Sequence, residues 1–231
     1  MLRSLFDYLP AINKEGYIFI ALFAFVTVVF FSVSNNLGWI GVIVTIWCIC
    51  FFRDPDRVTP IIDSVVVGPA DGIIESILSA KPPSELQMGE ANLTRISIFL
   101  SVFDVHVNRI PVTGRIKALH YNPGKFISAT LDKSSELNER QSILIETPSG
   151  KDVAVVQIAG LIARRIVCNL DENQSVSAGE RFGIIRFGSR VDIYLPEGIK
   201  PMVATGQYVL GGETIIALLT GTQKEIAGEK R

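Results

Sequence analysis

The chain has 231 residues, enough for one large domain or a domain with an appendage. Charged residues make up 19% and hydrophobic ones 48%, and mean hydropathy is +0.36, which excludes an intrinsically disordered chain. The 22 basic and 23 acidic residues nearly cancel to a net charge of −1 without any basic block, which argues against a nucleic-acid partner.

Residues 17–52 contain no charge. Turn-type residues divide this stretch at Ser34-Asn35-Asn36 and Gly38. The arms, 17–33 and 37–52, lie near the short end of the ~17–25 residues needed to cross a bilayer. The pattern predicts a hydrophobic helical hairpin over residues 1–52 that associates with a membrane. Its length does not decide whether the hairpin crosses the bilayer or dips into it. Arg3 and Lys14 precede it and Arg53 and Arg57 follow it, which favours the cytoplasmic face for both ends. A cleaved signal peptide fits poorly, because the apolar region is long, interrupted and followed by arginines. The alternative is a buried helical pair in a soluble core.

FFRDPDR then forms a polar hinge, and residues 53–231 change texture. Apolar runs over 65–67, 95–102, 104–110, 142–146, 152–158, 182–187, 191–195 and 208–219 alternate with Gly, Pro and Asn turns. This predicts a mainly β domain, a sandwich or flattened barrel with few helices. In DVHVNRI the alternation puts Val105, Val107 and Arg109 on one face and His106 and Asn108 on the other. Residues 126–137 read as a short helix or ordered loop, and 221–231 as a frayed tail. Two Gly-punctuated stretches are similar in composition to lipoyl-type hairpins, but no lysine sits at a tip, which disfavours a carrier domain.

Three cysteines, Cys48, Cys50 and Cys168, cannot build a disulfide framework. Two histidines, His106 and His120, argue against a His-rich metal site. GxSxG, P-loop, HExxH and CxxC motifs are all lacking. Three local features remain. GPADG (68–72) fixes Asp71 after an apolar strand, as a site residue or as a turn cap. DVHVNRIP (104–111) holds His106, as a base or as a satisfied half-buried histidine. RFGSRVDIYLP (186–196) puts Gly188-Ser189 between two apolar runs, as a reactive bond or as a hairpin turn.

FFRDPDR, PADG, FDVHVNRIP, PGKF, NER and FGSRVDIYLP occur in that order. Together they resemble the phosphatidylserine decarboxylase family in its short bacterial form, over nearly all of residues 51–219. The resemblance implies self-cleavage between Gly188 and Ser189 into a β chain, 1–188, and an α chain, 189–231, held as a heterodimer, with further oligomerisation left open. Ser189 would become a covalent pyruvoyl group, with no metal and no pyridoxal phosphate. The group would bind phosphatidylserine as a Schiff base and release CO₂ and phosphatidylethanolamine. Asp71 matches the family's aspartate and His106 its first motif histidine. Arg109 stands where longer relatives carry a second histidine, usually assigned as the base for self-cleavage. Arginine cannot serve as a base near neutral pH, which leaves His106. Arg190 follows the serine where longer relatives carry threonine. A phospholipid headgroup also needs a cation or backbone N–H groups for its phosphate, and Arg109, Lys125 and Arg140 are the candidate cations. His120 lies far from these motifs and reads as structural. The competing class is a non-enzymatic, membrane-anchored adaptor with a lipoyl-like β domain.

Overall fold

The computed structural model describes residues 10–62, 64–124, 138–160, 165–186 and 189–220. Residues 125–137 and 221–231, including the expected helix or loop and the expected tail, lie outside the described residues, as do Phe187 and Gly188. The chain divides into two compact units, 1–56 and 57–231.

In the first unit a short strand β1 (Ala11–Ile12) leads into helix α1 (Tyr17–Val33), helix α2 (Asn35–Phe51) and strand β2 (Arg53–Asp54). The break between the helices is the single residue Ser34, in extended conformation, so α2 starts earlier than the sequence pattern suggests. Asn35 and Asn36 form its first turn and Gly38 lies inside it. The glycines of α2 permit close helix contact: a Cβ on Gly38 would lie 2.2 Å from the Phe31 ring, and one on Gly41 2.7 Å from the Thr27 hydroxyl. Thr27 and Thr45 hydroxyls meet between the helices at 3.0 Å. β1 pairs antiparallel with β2, and the Asn13 N–H donates to the Phe52 carbonyl at 2.8 Å, so the two ends of the hairpin are stitched together. Residues 14–33 form a helical stretch long and apolar enough to cross a membrane, and large apolar side chains such as Ile18, Phe25 and Trp39 point outward from the hairpin. These features associate the chain with a membrane.

The second unit is mainly β. Its strands are β3 (Val65–Val67), β4 (Gly72–Ala80), β5 (Leu93–Leu100), β6 (Val107–Arg109), β7 (Gly114–Asn122), β8 (Arg140–Glu146) and β9 (Asp152–Ala159). They continue with β10 (Ile166–Cys168), β11 (Ser175–Val176), β12 (Arg181–Ile185), β13 (Ser189–Leu195), β14 (Tyr208–Val209) and β15 (Ile215–Leu218). Eight form one antiparallel sheet in the order β11-β7-β8-β9-β13-β5-β4-β14; β10-β12-β6 form a second, and β15 pairs with β3. One face of the large sheet packs into the main core through Ile98, Ile143, Val155, Val191 and Ile193, which meet Phe182 and Ile185 of β12 and Ile216 of β15. A smaller cluster on the opposite face, including Leu144, Val156 and Tyr194, lies with Leu86 of the 3₁₀ turn Ser84–Leu86.

The runs at 142–146, 152–158 and 191–195 fall within strands. Three of the features expected in this unit take a different form. The strand in DVHVNRI is only Val107–Arg109, because Asp104 and His106 belong to the preceding connection. The 208–219 run splits into β14 and β15, in different sheets. Gly188-Ser189 does not join a hairpin, since β12 and β13 belong to different sheets and Ser189 is already paired in β13.

β13 is buried along its whole length and is flanked by β5 and β9. Ile193→Ala, which empties volume in the main core on this strand, is expected to destabilise the fold by roughly 2–5 kcal/mol. A lowered midpoint of thermal unfolding in detergent would show it.

Candidate active site

Two connections cross between the large sheet and the three-stranded sheet. One leaves β5 at Leu100 and enters β6 at Val107, carrying Asp104 and His106. The other leaves β12 at Ile185 and enters β13 at Ser189. Because β5 pairs with β13 and β6 with β12, the ends of the two connections are brought together in pairs. Ser189 is opposite Leu100 at one end, and at the other the Ile185 N–H donates to the His106 carbonyl at 3.3 Å.

The side chains of the two crossings also share an interior. Ser189 lies two residues before Val191 and four before Ile193, both in the main core, so strand alternation turns it to that side. His106 is opposite Ile185, another main-core residue. Asn108, on the same face of β6, accepts a hydrogen bond from Gln157 of β9 at 2.7 Å, and Gln157 is opposite Val191. The His106–Asn108 face of β6 therefore looks across the interior at the Ser189–Gln157 face of the large sheet. Ser189 is fully buried, and its hydroxyl has no hydrogen-bond partner among the described residues. A buried hydroxyl in that state is costly unless its environment serves a purpose.

His106 is fully buried, and its Nδ1 lies 3.0 Å from the carbonyl of Asp104. A carbonyl only accepts, so Nδ1 carries the proton and Nε2 presents the lone pair, the tautomer required of a base. The orienting oxygen is a backbone carbonyl. The Asp104 carboxylate is held by the Ser101 N–H at 2.7 Å and the Tyr208 hydroxyl at 2.8 Å.

Asp71 follows β3 in the GPADG turn and is buried. Gly72 has φ of +155°, and a Cβ there would lie 2.2 Å from the Phe99 carbonyl oxygen, so glycine is required for the close approach to β5. One Asp71 oxygen accepts the Gly211 N–H at 2.8 Å and the other accepts Arg57 at 2.5 Å. Burial raises the Asp71 pKa, opposed by the Gly211 hydrogen bond and the Arg57 charge and reinforced by the negative charge of Asp104. Arg57 was legible only as part of the polar hinge; its pairing with Asp71 spans fourteen positions and leaves no local pattern.

The three candidate headgroup ligands are dispersed. Arg109 is 5% exposed, lies on the face of β6 opposite His106, and donates to the Gly179 carbonyl at 2.9 Å. Its side chain packs against Gly212, where φ is +80° and a Cβ would lie 2.8 Å from the Arg109 Cδ. Arg140 is ion-paired with Glu85 at 2.9 Å, on the opposite sheet face from Ser189. Lys125 lies outside the described residues. Arg190 is buried in a two-pronged pair with Asp192, at 2.9 and 3.1 Å. His120 is exposed on β7. Among the described residues no group of three or more His, Cys, Asp or Glu side chains could hold a metal ion.

The family model described as phosphatidylserine decarboxylase matches residues 44–217. This chain belongs to the phosphatidylserine decarboxylase family. It is 59% identical over 211 residues to a phosphatidylserine decarboxylase proenzyme of Rickettsia typhi, covering 91% of each chain. A protein of the same name from Rickettsia akari is 58% identical over 216 residues, covering 94% of each. The family match spans both sheet crossings, Asp71 and Arg57.

Removing the guanidinium should leave Asp71 with a still higher pKa. A group whose pKa is raised on folding adds stability below its unfolded pKa and loses it as pH rises through the folded value. In Arg57→Ala that loss extends to higher pH, and stability near neutrality falls. Carbon-13 NMR titration of the Asp71 carboxyl in both proteins, alongside thermal midpoints against pH, measures the two effects. An unmoved Asp71 titration would mean that Arg57 does not set its charge.

Proposed function

We propose that the chain is a phosphatidylserine decarboxylase that activates itself by cleaving the Gly188–Ser189 bond. The observation that carries this reading is the buried Ser189 hydroxyl, without a hydrogen-bond partner among the described residues, at the start of a strand whose preceding connection begins opposite His106, in a chain of this family. His106 Nε2 takes the proton from Ser189 Oγ, which attacks the Gly188 carbonyl and converts the amide into an ester. Loss of the Ser189 α-proton expels the Gly188 carboxylate and leaves a dehydroalanine. Its tautomer, an imine, takes up water and releases ammonia, which leaves a pyruvoyl group at the head of the 189–231 chain. Asp71 assists by adding negative charge near the site, a role that its pairing with Arg57 keeps compatible with burial.

The residues around Ser189 fit such a group: the position is dry, polar on the His106 side and fixed by β5 and β9. A pyruvoyl group there supplies an electrophilic carbonyl for the substrate amine and an electron sink for the loss of CO₂. His106 then holds the proton that is returned to the substrate α-carbon. Arg109 and Arg140 would each have to release a present partner to bind the headgroup phosphate, and Lys125 is the third candidate. The substrate and product are membrane lipids, and the hairpin keeps the enzyme at their surface. Basic residues flanking both hairpin ends favour the cytoplasmic face.

On a denaturing gel the protein is expected to run as two chains, 1–188 and 189–231, and Ser189→Ala as one inactive chain. Two bands from Ser189→Ala would place the cleavage elsewhere. His106→Ala should slow cleavage by ~10²-fold or more, as expected for loss of a general base. Normal cleavage in that variant would confine His106 to the decarboxylation step. In fully cleaved enzyme, Lys125→Ala should raise KM with little change in kcat, the pattern for lost binding common to ground and transition states. An unchanged KM would return the phosphate to Arg109 or Arg140.

A further inference from the structure

The outer face of the large sheet carries an apolar row that the chemistry above does not use. Tyr208 on β14 is opposite Ile73 on β4, Ile73 is opposite Phe99 on β5, and Phe99 is opposite Arg190 on β13. Directly opposed residues share a sheet face with Cβ atoms about 4.5–5.5 Å apart, so Tyr208, Ile73 and Phe99 form one continuous strip. Their sequence neighbours Val209, Ile74 and Ile98 are main-core residues, which puts the strip on the other face. Ile73 is 48% exposed and Tyr208 49%, and Phe99 is half-buried. The β5–β6 crossing adds Phe103, 71% exposed, next to Asp104, whose carboxylate holds the Tyr208 hydroxyl. The strip thus runs from the edge strand to the crossing that carries His106, and ends one residue from Ser189.

Single exposed apolar residues are ordinary, but a contiguous strip at the rim of a site marks an interaction surface. Tyrosine and phenylalanine are suited to the bilayer–water boundary. The same chain carries a membrane hairpin, which presents the second unit to lipid rather than to an arbitrary partner. We infer that Tyr208, Ile73, Phe99 and Phe103 form a second lipid contact, by which the catalytic unit itself seats in the headgroup region of a bilayer. The hairpin tethers the protein, and the strip seats the catalytic unit on the surface that holds its substrate. The choice of a lipid surface rests on the proposed phosphatidylserine substrate.

The full chain has two tryptophans, Trp39 and Trp47, both in the hairpin. In a chain with Trp39→Phe and Trp47→Phe, Phe103→Trp provides a single reporter, and Tyr121→Trp on β7 provides a control several strands away. In phosphatidylcholine vesicles brominated near the glycerol end of the acyl chains, the reporter at position 103 should lose about half its emission or more. The control should keep its emission. No quenching at position 103, as expected if a second copy or another protein covers the strip, would overturn the inference; so would equal quenching at both positions. The variant Ile73→Ser/Phe103→Ser should lose roughly tenfold in kcat/KM on vesicle phosphatidylserine and retain activity on a short-chain, water-soluble form. An equal fall on both substrates would overturn the docking role. If the unmutated chain decarboxylates neither substrate, the proposed activity fails while the quenching result still judges the strip.

Discussion

The chemistry depends on one topological constraint: two chain segments cross between the same pair of sheets. Because β5 pairs with β13 and β6 with β12, Leu100 is held opposite Ser189 and His106 opposite Ile185. Ser189 and His106, the candidate pair, are both fully buried, and the Gln157–Asn108 hydrogen bond ties the two layers beside them. Ser189 is therefore fixed by the ladder of a regular strand, and His106 lies one residue ahead of β6.

Electrostatics around the site are arranged at one remove. The negative charge of Asp104 adds to the burial that raises the Asp71 pKa, and each carboxylate has an assigned partner. Arg57 and the Gly211 N–H hold Asp71, and Tyr208 and the Ser101 N–H hold Asp104. Tyr208 and Gly211 both come from the segment after Ser189. The last part of the chain thus supplies β13 and also a hydrogen-bond donor to each of the two carboxylates.

Much of this was legible in the sequence. An uncharged stretch interrupted by turn residues specifies a helical hairpin, since lipid and protein cores alike reject charge. Short apolar runs bounded by Gly and Pro specify strands, and the alternation in DVHVNRI correctly separated His106 from Arg109. The single-residue break at Ser34 was not legible, because asparagine suits a first helical turn as well as a loop. Strand β4 was missed: Glu75 falls at a bulge, where the pairing slips by one residue and masks the alternation. Site partners were the least visible. Arg57 meets Asp71, and Tyr208 meets Asp104, only because the strands between them fold back; separations of 14 and 104 residues leave no periodic trace. Arg109 is a headgroup candidate by its charge and its place in the histidine motif, and its buried contacts with Gly179 and Gly212 left no trace in the sequence.

The placement of β13 between β5 and β9 has a bearing on the order of events in the life of the protein. A strand in the middle of a sheet can only be inserted while the chain is still assembling, when its tether keeps its effective concentration high. If the peptide bond ahead of Ser189 is cut afterwards, the native arrangement persists because both neighbours still grip the strand. Once such a cut protein unfolds, however, two separate molecules must find each other, and recovery becomes dependent on dilution. Folding would then be a one-time event, and heat damage that an intact chain could repair would be permanent.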